Sequence, residues 1–72
     1  MPHITVQMFE GRDEKKKQEL ADSIAQTVIR VLGTAPEYVS VSIHDVPETD
    51  WDQKVYNKFM EKPKLLYRKP GY

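Results

Sequence analysis

The chain has 72 residues, no cysteine, and eleven basic side chains balanced by eleven acidic ones. That length fits one domain, spanning 1–72, that buries only roughly 60% of the surface its unfolded form exposes. No disulfide or zinc–thiolate site can supplement the core, and two histidines, His3 and His44, make a poor metal site, so association with further copies is the remaining route to stability.

Zero net charge argues against a general nucleic-acid binder, which needs a basic surplus to neutralise phosphates. No apolar run approaches the roughly 20 residues that span a bilayer, and the start lacks the basic-then-apolar pattern of a signal peptide. The expected setting is the cytoplasm, with no membrane partner.

From His3 to Phe9 the residues alternate, Ile4, Val6 and Met8 on one side and His3, Thr5 and Gln7 on the other, which predicts a strand. Gly11 breaks it. Leu20, Ile24, Val28 and Val31 or Leu32 then recur at helical spacing, predicting a helix over 13–32 that opens on Asp13 and Glu14 and stops at Gly33. The Lys15-Lys16-Lys17 run near its start reads as a solvated face. Alternation returns over 38–46, with Val39, Val41 and Ile43 opposite Ser40, Ser42 and His44. Strand, helix and strand in so few residues make a βαβ unit with parallel strands. After the turn Pro47-Glu48-Thr49-Asp50, where Thr49 or Asp50 can cap a helix, Trp51, Val55, Tyr56, Phe59 and Met60 predict a second helix that Pro63 ends or kinks. The remainder to Tyr72 is basic and aromatic, and Pro70-Gly71 forbids regular structure.

The expected class is therefore α/β. Two parallel strands cannot stand alone, because their faces and edges need cover. A homodimer that joins two such units into a four-stranded sheet, with the helices on one face, meets that need. The polar row Thr5, Gln7, Ser40 and Ser42 disfavours stacking into a larger assembly.

Three residues suggest chemistry. Pro2 follows the initiator and leads directly into the strand, so removal of Met1 leaves a secondary amine held at a fixed place. An ordinary α-amino group titrates at about 7.7–8.0, and a dry site or a nearby cation lowers it, giving a general base at neutral pH. With Met1 retained, the same nitrogen is an amide without basicity. Arg12, just past Gly11, can grip a carboxylate through two parallel hydrogen bonds and stabilise an enolate. Trp51, the single tryptophan, can wall a pocket and exclude water. His44 and Asp45 are adjacent on a strand, so they face opposite ways and do not form a dyad.

As a set, Pro2 heading a short strand, Glu10-Gly11-Arg12 after it, and the helix and second strand that follow resemble the 4-oxalocrotonate tautomerase family. The segment from Trp51 through Arg68-Lys69-Pro70-Gly71-Tyr72 looks like the longer-tailed, dimeric, phenylpyruvate-tautomerase-like subgroup. The resemblance implies a tautomerase-type fold and a cofactor-independent, metal-free keto–enol isomerase. It places Pro2 at the amino-terminal base, Arg12 at a carboxylate-binding arginine and Trp51 at an aromatic pocket position. Ser40 stands where the founding enzymes carry a second, oxygen-polarising arginine, so this chain has one hydroxyl where they have a charge. That difference favours a monocarboxylate, such as an enolised aryl pyruvate, over a dicarboxylated dienol.

The alternatives are a non-catalytic oligomeric scaffold or binding protein, and a hydratase or dehalogenase on the same scaffold. The latter needs Pro2 protonated and a partner carboxylate, for which the sequence alone offers no convincing candidate.

Overall fold

A computed structural model describes all of residues 1–72. Strand β1 (His3–Phe9), helix α1 (Glu14–Leu32) and strand β2 (Ser40–Val46) form the expected βαβ unit. The strands pair in parallel, His3 opposite Ser40 and Phe9 opposite Val46. This register sets Ile4 and Val6 beside Val41 and Ile43, and it sets Thr5 and Gln7 beside Ser42 and His44. The period-two pattern therefore sorts one apolar row from one polar row, as the alternation predicts.

Local chemistry fixes the ends of α1. Asp13 is its N-cap, and its carboxylate accepts the Lys16 N–H at 2.8 Å. At the other end Gly33 adopts φ 67° and donates its N–H to the Ile29 carbonyl, a left-handed cap that glycine adopts without steric cost. Gly11, at φ 126°, makes the bend between β1 and Arg12. Helix α1 lies along β2, where Ala21, Val41 and Ile43 border one shallow groove.

The lysine run is only partly a solvated face. Lys16 pairs with Glu19 in the open. The Lys17 side chain is only 17% exposed and reaches Asp45 of β2 at 2.5 Å, with Glu14 at 3.8 Å. Its ammonium is held above the ordinary lysine pKa, first by the hydrogen bond to Asp45, against a smaller opposing effect of desolvation. A raised folded-state value stabilises the fold below the unfolded lysine pKa, about 10.4, and that contribution is lost as pH rises through the folded value. Asp45→Asn should therefore lower the melting temperature by a constant amount from pH 7 to about 10, with the gap closing above that. Equal melting temperatures at pH 8 would show that the pair contributes nothing.

The second helix differs most from expectation. After a 3₁₀ turn at Glu48–Asp50 the chain makes a wide π-type turn over Asp52–Tyr56, and only Asn57–Met60 (α2) is α-helical before a last 3₁₀ turn at Pro63–Leu65. Neither Thr49 nor Asp50 caps these turns through its side chain; Asp50 pairs with Lys54 instead. Trp51, Asp52, Val55, Tyr56, Asn57 and Phe59 are all weak helix formers, so tertiary contacts decide the path. Val55 is 5% exposed, and Tyr56 packs its ring against Phe59 and Tyr72. Only Val46 and Val55 are buried, while Val31, Leu32, Tyr38 and Leu65 are more than half exposed. No helix is long and apolar enough to cross a membrane.

Candidate active site

The residues singled out from the sequence fall into two groups at opposite ends of β1. At its start, the Ser40 N–H donates to the Pro2 carbonyl at 3.2 Å and ties Pro2 to the head of β2. The Met1 ammonium donates to the Tyr38 carbonyl at 2.5 Å. With Met1 in place the Pro2 nitrogen is an amide. His3 spans two hydroxyls, its Nδ1 2.7 Å from Ser40 Oγ and its Nε2 3.1 Å from Ser42 Oγ, and Ser42 in turn donates to Thr5 at 3.4 Å. Ser40 is thus next to Pro2, but its hydroxyl engages His3, a partner that the strand pattern alone does not single out.

At the far end of β1 a cavity of about 630 Å³, open on one side, is lined by residues that include Phe9, Arg12, Glu48, Trp51, Asp52 and Tyr72. Arg12 donates one guanidinium N–H to the Phe9 carbonyl at 3.2 Å and pairs with no carboxylate, so most of its donor fork is uncommitted. Trp51 is half-buried, stands edge-on to Phe9 with centroids 5.0 Å apart, and donates its indole N–H to the Tyr72 hydroxyl at 3.1 Å. Trp51 is therefore a cavity wall.

Pro2 does not border this cavity. Seven steps of strand at about 3.3 Å each separate it from Phe9, or roughly 23 Å. One chain cannot bring its own Pro2 and Arg12 to the same small molecule. His44 and Asp45 also stay apart in function, Asp45 bonded to Lys17 while His44 sits across from Gln7 in the polar row. No cluster of three or more His, Cys, Asp or Glu residues could hold a metal ion.

Four cavity residues carry no sequence signal strong enough to single them out. Phe9 closes a strand pattern, and Tyr72 lies 21 positions from its partner Trp51. Glu48 and Asp52 flank Trp51 at offsets of three and one, a spacing that could have placed them beside it.

Comparison with known proteins places this short βαβ unit, with its proline-led first strand and an arginine just beyond it, in a class of small isomerases. A family model described as Tautomerase enzyme matches residues 2–55. A probable tautomerase of Xylella fastidiosa is 48% identical over all of this chain and 89% of its own length. Tautomerase PptA of an Enterobacter strain is 35% identical, covering all of this chain and 97% of its own length. Among solved structures, a chain from work on 4-oxalocrotonate tautomerase isozymes of Methylibium petroleiphilum superposes with a TM-score of 0.67 at 34% identity, covering 69% of this chain and 81% of that one. The chain belongs to the tautomerase family. It is an enzyme of the isomerase type, with a 4-oxalocrotonate-tautomerase-like α/β fold.

Proposed function

We propose that the protein is a keto–enol tautomerase for a monocarboxylic 2-oxo or 2-hydroxy-enoic acid with an aryl group, an enolised aryl pyruvate being the type, and that the Pro2 amine is its base. The observation that carries this reading is the cavity in which an arginine without an ion-pair partner faces three aromatic side chains, Phe9, Trp51 and Tyr72. Arg12 would hold the carboxylate and the aromatic walls the ring. Neutral Pro2, exposed by loss of Met1, removes the proton from the enol hydroxyl and the prolinium delivers it to the carbon that bears the ring, the reverse reaction carrying it from that carbon back to the oxygen. Ser40, beside Pro2, supplies one hydroxyl near the reacting oxygen, and His3 fixes its orientation. This chemistry calls for no cofactor and no metal.

Because Pro2 lies roughly 23 Å along β1 from Phe9, at whose carbonyl the Arg12 guanidinium sits, the base must come from a second copy. A homodimer in the cytoplasm, with each cavity completed by the partner's amine, fits the sparse core and the exposed apolar side chains. Subunit mixing tests this. Pro2→Ala and Arg12→Ala homodimers should both be nearly inactive, and random mixing should restore roughly a quarter of wild-type activity, because half the dimers then carry one intact site. No recovery in proven heterodimers would exclude a shared site.

Glu48 and Asp52 in the lining disfavour a second substrate carboxylate. Glu48→Gln combined with Asp52→Asn should raise kcat/KM for a dicarboxylated dienol relative to phenylenolpyruvate by roughly two- to fivefold, read in paired assays. An unchanged ratio would remove the repulsion from the reading.

The same two carboxylates supply what a hydratase or dehalogenase needs, a group able to activate water opposite a protonated Pro2. Halide release from a halogenated unsaturated acid, abolished in Glu48→Gln or Asp52→Asn, would select that second reading.

A further inference from the structure

We propose that Tyr72 is the residue that makes the cavity select an aromatic substrate, acting as a ring-sized wall fastened from outside the βαβ unit. The inference rests on the reading of the Arg12 cavity as the substrate site. Tyr72 lies beyond the stretch matched by the family model, residues 2–55, yet it borders the same cavity as Arg12 and Trp51.

Three contacts hold it there. Its hydroxyl accepts the Trp51 indole N–H at 3.1 Å. Its backbone carbonyl accepts the Tyr56 hydroxyl at 3.2 Å. Its ring lies 5.4 Å from that of Tyr56, tilted by 32°. Pro70, half-buried between two exposed neighbours, fixes its own φ two residues before Tyr72.

A tyrosine placed for core packing would be covered, whereas Tyr72 remains 69% exposed. Its ring is therefore held by Tyr56 and Trp51 yet remains largely open, which is the condition for receiving a ligand. Aromatic pairs favour offset or edge-to-face contact at centroid separations of about 4.5–7 Å, a geometry that a saturated ring of equal size does not reward. Phe9 and Trp51 are already committed edge-on to each other, so Tyr72 offers the aromatic surface not used in that pair. The hydroxyl accepts from Trp51 and donates to no protein group, leaving its proton available to a polar substituent on the ligand's ring.

Trp51 is the only tryptophan, so its fluorescence reports occupancy of the cavity without any turnover. The probes are 3-phenylpropionate and 3-cyclohexylpropionate, which share the carboxylate and chain length and differ in aromaticity. The wild-type protein should bind the phenyl acid more tightly. Tyr72→Ala should weaken the phenyl acid by roughly three- to tenfold while the cyclohexyl acid changes less than twofold, and Tyr72→Phe, which keeps the ring, should keep the preference. The proposal is overturned by a Tyr72→Ala protein that retains the full preference, by equal weakening of both acids, or by a wild-type protein with no preference. If Pro2→Ala kept catalysis, the base assignment would fall while the binding preference still judged Tyr72.

Discussion

Pro2→Ala should lower kcat/KM for phenylenolpyruvate ketonisation by about 10²-fold or more, within the span expected for loss of a positioned general base. The effect has a floor, because trimming of Met1 before alanine leaves a primary amine at the same point. That amine lacks the ring that fixes the direction of the nitrogen lone pair, and it sits on a backbone free to rotate about φ. The loss should appear in kcat with little change in KM, since Arg12 and the aromatic walls anchor the substrate while the amine moves the proton. Full activity in this variant would show that the proton is moved by another group. The nearest polar candidates are His3 and Ser40, which hydrogen-bond to each other at 2.7 Å.

Arg12→Gln should lower kcat/KM by about 10- to 100-fold, the loss of one or two charged hydrogen bonds to a carboxylate. Here KM should carry most of the change, because the carboxylate is held in both ground and transition states. Arg12→Lys should recover only part of it, since an ammonium cannot make the paired, planar contact of the guanidinium fork. The fold should tolerate both changes. Arg12 is exposed, and its single side-chain hydrogen bond is the one to the Phe9 carbonyl. An unchanged KM in the Arg12→Gln variant would place the carboxylate elsewhere.

What the sequence makes legible follows the local rules. The alternations 3–9 and 38–46 and the helical period between them depend on neighbours two to four positions apart, and both strands and α1 appear near where those periods place them, β2 starting only at Ser40 because Pro36–Tyr38 form a 3₁₀ turn. Asp13 and Gly33 mark the helix ends because a capping carboxylate and a left-handed glycine act within one turn. The second helix fails where such rules weaken. Burial of Val55 and the ring contacts of Tyr56 outweigh an apolar spacing made of poor helix formers, and the result is a π-type turn.

The site divides in the same way. Arg12 and Trp51 share a cavity, as their types suggest, but Tyr72 reaches it from 21 positions beyond Trp51 and no periodicity connects them. The presence of Glu48 and Asp52 beside Trp51 gives the cavity a negative side that Arg12 and Trp51 alone do not foretell. Charge alone groups Lys17 with its two neighbours, whereas the packing of α1 on β2 sets it against Asp45.

Relating turnover to the state of residue 1 shows whether a free prolyl amine is the base. Intact mass gives the fraction of molecules that have lost Met1, and a phenylenolpyruvate ketonisation assay on the same samples gives the rate. Across preparations trimmed to different extents, the rate should rise in proportion to the Met1-free fraction and extrapolate to zero for the untrimmed protein. Equal turnover by protein that retains Met1, whose Pro2 nitrogen is an amide, would contradict the mechanism outright.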